Sequence, residues 1–384
     1  MLAGWLGAGL VVLGVLGGCG KSRAKSDGGS GAGGGGAGGV SVGGAGDVGG
    51  AGGRDAAMPD AVGSGGTNTD GSPPDHPADA PLPDASGDVS RDGPRPTPKL
   101  TFTLMTPGWD ADVIAGAANG EIWSGSKPSS VLQIHADGTL STSSLALLGS
   151  AYVTGLWVAG LDNVYASAYA NLVLHWDGSG TWKRDILTSG RVFEGIWGSS
   201  PTDVYALAGG EVYHSGGDDQ WTVQTVRQTT IAGFASITGT SPTDLWVLGK
   251  YGEVFRSVGD GIWSLEMNPN IQYGVQIWAA SSDEAYFVTS ATIMRRLPST
   301  GLWVTEPTPL GSTDYFHCIW GSGPSDVYAG TNQAHLFHSI GDGVWQDEGF
   351  DPGTSFLPAI KGIWGRSASD VYLGTSNGIY HGVP

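Results

Sequence analysis

Only two of the 384 residues are cysteines, so no disulfide framework is available. One, Cys19, ends the apolar N-terminal run. The other, Cys318, sits in the strand-like stretch FHCIWG, where a small buried core residue is expected rather than a nucleophile. Positive charge is also scarce: 18 Lys and Arg stand against 36 Asp and Glu, and after Pro98 the counts are 12 and 26. A domain this acidic has no electrostatic footprint for nucleic acid and is repelled by anionic lipid headgroups. Beyond Pro98 no stretch of a dozen residues has helical periodicity. Zinc-type Cys/His spacing, a phosphate-cradling glycine loop before a helix and a serine-centred elbow are missing too, so neither metal nor cofactor is expected.

Glycine, in contrast, crowds the N-terminal quarter. From Gly28 to Gly53, 16 of 26 residues are Gly, and from Met58 to Pro98 the chain turns to Pro, Asp and Ala. Such a segment cannot bury enough apolar surface to offset its chain entropy, so residues 20–98 read as a disordered tether. As a flexible coil it would reach on the order of 50 Å. Ahead of it, residues 1–18 (MLAGWLGAGLVVLGVLGG) are apolar but too short and glycine-rich for a spanning helix. The run LGGC, Leu16 to Cys19, resembles the bacterial lipobox. That resemblance implies a signal peptide over 1–19, acylation of Cys19, and a protein anchored by lipid at the outer membrane or cell surface. Each buried acyl CH₂ contributes about 0.8 kcal/mol to such an anchor.

Residues 99–384 are written in copies. GIWGSSPTDVYALAGGEVYHS, from 195, returns at 362 as GIWGRSASDVYLGTSNGIYHG. Its leading tryptophan recurs as Trp157, Trp197, Trp278, Trp320 and Trp364, with Thr238 in place of one, at a spacing near 41 residues. A diverged copy beginning near Ala111 brings the number to seven. Each copy reads as four short strands separated by turn residues, the pattern of a propeller blade. The last copy stops after its third strand, while Lys99 to Met105 is an alternating strand with no copy of its own. The expected fold is therefore all-β, a seven-bladed β-propeller of four-stranded blades closed by its N-terminal strand.

Two residue slots recur in every copy. An acid or amide (Asp112, Asn163, Asp203, Asp244, Glu284, Asp326, Asp370) suits a turn in which it caps its own backbone. A third-strand basic residue (His135, His175, His214, Arg256, Arg296, His338, His381) is followed in five copies by a tryptophan seven residues later, as in His175 and Trp182. With a four-residue hairpin the two would face each other across the strands and stack.

The phrase WGSSPTDVY resembles the repeat of bacterial surface propeller lipoproteins, which implies a lipid-anchored scaffold and leaves its ligand open. The third-to-fourth-strand hairpins, such as HWDGSGTW, are loosely similar to the Asp-box of sialidase-like propellers, although the Asp-x-Gly-x-Thr-Trp spacing is not kept. Function is sought in what does not repeat. Loops entering the first strands, and those joining strands two and three, share one face and carry Tyr152, Tyr169, Phe193, Tyr251, Tyr273, Tyr315 and Asn332. These are the candidate contacts to a carbohydrate or a polypeptide, although Phe193, like Phe234 and Phe316, also fits a strand-start core position. The expectation is a monomeric, non-catalytic binding module. An envelope assembly scaffold is one alternative, and a sialidase-like hydrolase using Arg184, Arg191 and Arg227 near Glu194 is another.

Overall fold

Apolar runs of four to eight residues broken by Gly, Pro, Asp and Ser turns make hairpins, and stacked hairpin pairs bury their faces only against their neighbours. A computed structural model describes residues 99–145, 151–186, 191–227, 232–269 and 273–384. Cys19 and the tether lie outside them. Among the described residues there is no helix, and the strands form seven sheets, antiparallel but for one short added strand. Each sheet is one blade: 113–144, 153–186, 193–223, 234–267, 274–306, 316–347, and 360–383 with Thr101–Leu104. The fold is a seven-bladed β-propeller.

Closure follows the expected route. Thr101–Leu104 pairs antiparallel with Gly378–Val383, from Thr101 opposite Val383 to Leu104 opposite Tyr380. Leu100 is buried in the same blade's core with Tyr380 and Phe350. Both chain ends of the domain are thus taken into one sheet, where the N-terminal strand is the outer strand that covers Gly378–Val383. Blade 4 gains an extra cover: after blade 3's last strand, Thr225–Val226 pairs parallel with Ile262 and Trp263.

The recurring WG is explained by how one blade meets the next. A Cβ built on Gly198 would lie 2.8 Å from the Trp157 ring of the preceding blade. The same holds for Gly239 against Trp197 at 2.7 Å, Gly321 against Trp278 at 2.6 Å, and Gly365 against Trp320 at 2.7 Å. At the seam between the last and first blades, Gly116 would meet Trp364 at 2.6 Å. Each indole therefore rests on a glycine one blade onward. Where a blade has no tryptophan in this slot, Ala115 and Thr238, the next blade carries Val158 and Ala279 in place of glycine. The lost volume is returned within the blade. Ala115 lies opposite Trp123 and Thr238 opposite Trp246, whereas the tryptophans face Tyr165, Tyr205, Tyr286, Tyr328 and Tyr372.

In blades 3 to 7 the acidic slot proves to be the partner of a third-strand basic residue, which corrects both sequence readings. In blade 1 the acid beside His135 is Glu121, while Asp112 lies in the segment entering the first strand, and in blade 2 His175 meets Asp219. The turn carboxylate does not cap its own backbone; Ser200, Ser241 and Ser367 do that. Instead the carboxylate reaches the third strand: Asp203 Oδ1 lies 2.8 Å from His214 Nε2, Asp326 Oδ1 3.0 Å from His338 Nε2, and Asp370 Oδ1 2.8 Å from His381 Nε2. Arg256 meets Asp244 at 2.9 Å and Arg295 meets Glu284 at 2.6 Å. The rings stack on second-strand tyrosines, not on the tryptophan seven residues on: His175 on Tyr165 at 4.0 Å, His338 on Tyr328 at 4.3 Å, His381 on Tyr372 at 4.2 Å.

The reason is hairpin length. The loop spans 177–181, one residue more than assumed, so Trp176 pairs with Trp182 and Ser215 with Trp221. A one-residue slip turns every side chain to the other face. The indoles thereby point to the neighbouring blade, where Trp221 Nε1 donates to Asp185 at 3.1 Å, Trp263 Nε1 to Gln224 at 2.6 Å and Trp345 Nε1 to Glu306 at 2.6 Å. In blade 5 Arg296 does lie opposite Trp303, as expected, and it is Arg295 that faces the tyrosine. Cys318 is fully buried, and burial pushes its thiol up to about 12, as suits an inert core residue.

Candidate functional site

First strands line the propeller axis, and the segments entering them meet the turns between strands two and three at one mouth. Backbone hydrogen bonds join these two sets alternately around it. Within a blade, Tyr169 N donates to Tyr152 O at 2.7 Å, Lys250 N to Gly233 O at 2.9 Å, Ser290 N to Tyr273 O at 3.2 Å, Asn332 N to Tyr315 O at 3.1 Å and Ser376 N to Ala359 O at 3.0 Å. Between blades, Phe193 N donates to Ala170 O at 3.3 Å, Gly274 N to Lys250 O at 3.0 Å and Phe316 N to Ser290 O at 3.1 Å. The result is a hydrogen-bonded collar whose side chains are held on fixed backbone.

The candidate residues divide into four groups on this collar. Tyr251, Tyr273 and Tyr315 are exposed, Tyr273 most of all at 66%, and Phe356 joins them at 63% from the segment entering blade 7. Tyr273 has φ +68°, a costly backbone for a bulky residue, and the bonds at Gly274 N and Tyr273 O hold it there. Tyr152 and Tyr169 stack in parallel, 5.0 Å apart and 6° inclined, with Tyr169 open to solvent. Phe193 is withdrawn: it is fully buried, as are Phe234 and Phe316, because each begins a strand and packs between blades. Asn332 works as a brace, its Oδ1 accepting from Tyr315 N at 2.7 Å and its Nδ2 donating to Thr313 O at 3.3 Å.

Two cavities open on this face. A groove of about 420 Å³ between blades 6 and 7 is formed by Tyr315, Asn332, Gln333, Phe356, Leu357 and Ser376, among others. The axial cavity, about 670 Å³, is lined by first strands and by polar and charged groups from five blades that no single sequence segment brings together: Asp112, Lys127, Glu194, Lys250, His317 and Lys361. Burial, and then the Lys361 charge, hold His317 below the ordinary imidazole range, so it is neutral at pH 7. The one sequence signal for this group is the rarity of lysine. Of Lys99, Lys127, Lys183, Lys250 and Lys361 in the propeller, three converge here.

Arg184, Arg191 and Arg227 do not line the axial cavity. Arg184 is on a fourth, outer strand and donates to Leu145 O at 2.6 Å. Among the described residues no group of three or more His, Cys, Asp or Glu is placed to hold a metal ion, and no helix is long and apolar enough to cross a membrane.

No family model matches the chain, and no curated protein matches its sequence. Solved structures do match. Virginiamycin B lyase from Staphylococcus aureus superposes with TM-score 0.64 at 17% identity, over 74% of this chain and 99% of that one. YCF48 bound to D1 peptide gives 0.60 at 13%, over 74% and 96%. The WD40 β-propeller domain of Doa1 gives 0.57 at 11%, over 74% and 97%. At these identities the likeness is one of fold.

Proposed function

We propose that this protein is a non-catalytic binding module, anchored through acylated Cys19 at the outer membrane or cell surface, whose loop face grips an extended polypeptide segment. The observation that carries the reading is the arc of exposed aromatics Tyr251, Tyr273, Tyr315 and Phe356 on the hydrogen-bonded collar. Exposed rings on rigid backbone give large contact area with little ordering cost, as binding surfaces require. The arc leads into the groove between blades 6 and 7, where Phe356 and Leu357 offer an apolar floor beside the amide of Gln333. That YCF48, of the same fold, was solved with a peptide bound supports the choice of ligand class. The LGGC run supports the anchor, and the tether would free the collar from the membrane plane.

The test is a phage-displayed random peptide library panned against the protein and against a Tyr273→Ala, Tyr315→Ala, Phe356→Ala variant of unchanged thermal midpoint. A consensus enriched on the parent and lost on the variant supports the reading. Equal enrichment on both, or none on either, sinks it.

A further inference from the structure

The axial cavity holds charges of both signs that the rim does not use. Lys361 Nζ donates to Asp112 Oδ1 at 2.8 Å and to Asp110. Lys250 Nζ donates to Glu194 Oε1. Lys127 Nζ lies 3.9 Å from Asp112 Oδ1 and 4.5 Å above the Tyr152 ring. The lysine side chains 127 and 250 remain 54% and 44% exposed, so each keeps N–H groups facing the mouth. The two lining carboxylates each keep one oxygen, Asp112 Oδ2 and Glu194 Oε2, that is buried and has no hydrogen-bond partner. Buried acceptors left in that state are costly, and a ligand hydroxyl that displaces a neighbouring lysine and donates to the carboxylate recovers the loss.

Charge then selects the ligand. A carboxylate or phosphate would suit the lysines but would be set against Asp112 and Glu194. An ammonium would suit those acids but would be set against three lysines. A hydroxyl satisfies both, accepting from a lysine N–H and donating to a carboxylate oxygen. His317, neutral beside Lys361, adds a further polar group without charge. The open ring of Tyr169, backed by Tyr152, offers a flat apolar face, and about 670 Å³ falls within the roughly 300–1,000 Å³ of small-molecule sites.

We infer that the axial cavity binds a neutral saccharide, with the Asp112 and Glu194 carboxylates accepting from its hydroxyls, Lys127 and Lys250 donating to them, and Tyr169 stacking on a ring. This goes beyond the polypeptide reading and depends on none of the rim residues Tyr273, Tyr315 and Phe356.

The experiment is calorimetric titration of the full chain with a panel of neutral oligosaccharides (maltotriose, cellotriose, chitotriose, mannotriose) and with sialyllactose as the charged member. The parent, Glu194→Gln, Tyr169→Ala and the triple rim variant are compared. Glu194→Gln replaces an acceptor oxygen by a donor and keeps the shape. The expected result is that a neutral member binds the parent and the rim variant alike, and binds Glu194→Gln and Tyr169→Ala about ten- to a hundredfold more weakly. Unchanged thermal midpoints and near-ultraviolet spectra would exclude misfolding as the cause. Binding of sialyllactose alone, binding unaltered by Glu194→Gln, or no binding of any neutral member to the parent overturns the inference.

Discussion

Gly116→Ala is the sharpest probe of how the blades are joined. A Cβ there would stand 2.6 to 2.7 Å from three atoms of the Trp364 ring, which are its three nearest contacts. Ordinary contacts begin near 3.4 Å, so the indole of the last blade must shift by most of an ångström across the closing seam. Overpacking of this kind costs about 1–3 kcal/mol. For a domain of this size that is a fall in thermal midpoint of about 2–5 °C. The same change made in a Trp364→Thr background, which copies the natural Thr238 and Ala279 arrangement, meets no ring. There the Gly-to-Ala change should act through the unfolded chain and stabilise by about 0.4–1 kcal/mol. The assay is thermal unfolding by circular dichroism for the four proteins of the cycle, and the expected signature is a reversal of sign between backgrounds. If Gly116→Ala costs the same with and without Trp364, the indole is not what requires glycine there, and the account of the WG phrase fails.

A second prediction concerns pH. Burial opposes the His338 charge, but hydrogen bonds to Asp326 and Glu348, both at 3.0 Å, outweigh it and raise the imidazole to about 9. Its contribution, up to about 3 kcal/mol, is full below pH 6.5, fades as pH rises and is gone above about pH 9. Between pH 6 and 9.5 the parent should therefore lose several degrees of midpoint more than His338→Gln does, and parallel losses in the two proteins would contradict this. A third addresses the latch: Thr103→Pro removes a ladder donor opposite His381, and should lower the midpoint by several degrees while Thr101→Ala changes it little. Equal midpoints for Thr103→Pro and the parent would mean that the N-terminal strand does not secure the ring.

The blade count, the four-strand pattern and the latch were legible in the sequence because each rests on period and alternation, which the chain states seven times. The cross-strand pairing of His175 with Trp182 was not, because it depends on hairpin length to the single residue, and DGSG gave no sign that the turn takes five. Rim aromatics were legible as unrepeated residues in entering loops. Whether a given ring faces out was not: Phe193 and Tyr152 occupy neighbouring segments of similar composition, yet only Phe193 starts a strand and is swallowed by the core. The axial group escaped because Asp112, Lys127, Glu194, Lys250, His317 and Lys361 belong to five different blades. Only closure of the ring brings them within reach of one another.

The tryptophan and glycine hand-off gives the ring a grammar. Blades 3, 6 and 7 both present an indole and accept one, so removing or repeating any of them as a whole would leave every seam matched. Blades 1 and 4 accept an indole but present only Ala115 and Thr238, and blades 2 and 5 present an indole but accept none. A blade of the first kind must always be followed by one of the second, as 1 is by 2 and 4 by 5. Losing blade 4 alone would drive Trp197 onto the Cβ of Ala279. A propeller of this kind lengthens or shortens in permitted words, and the residue after each tryptophan slot marks where a word can end.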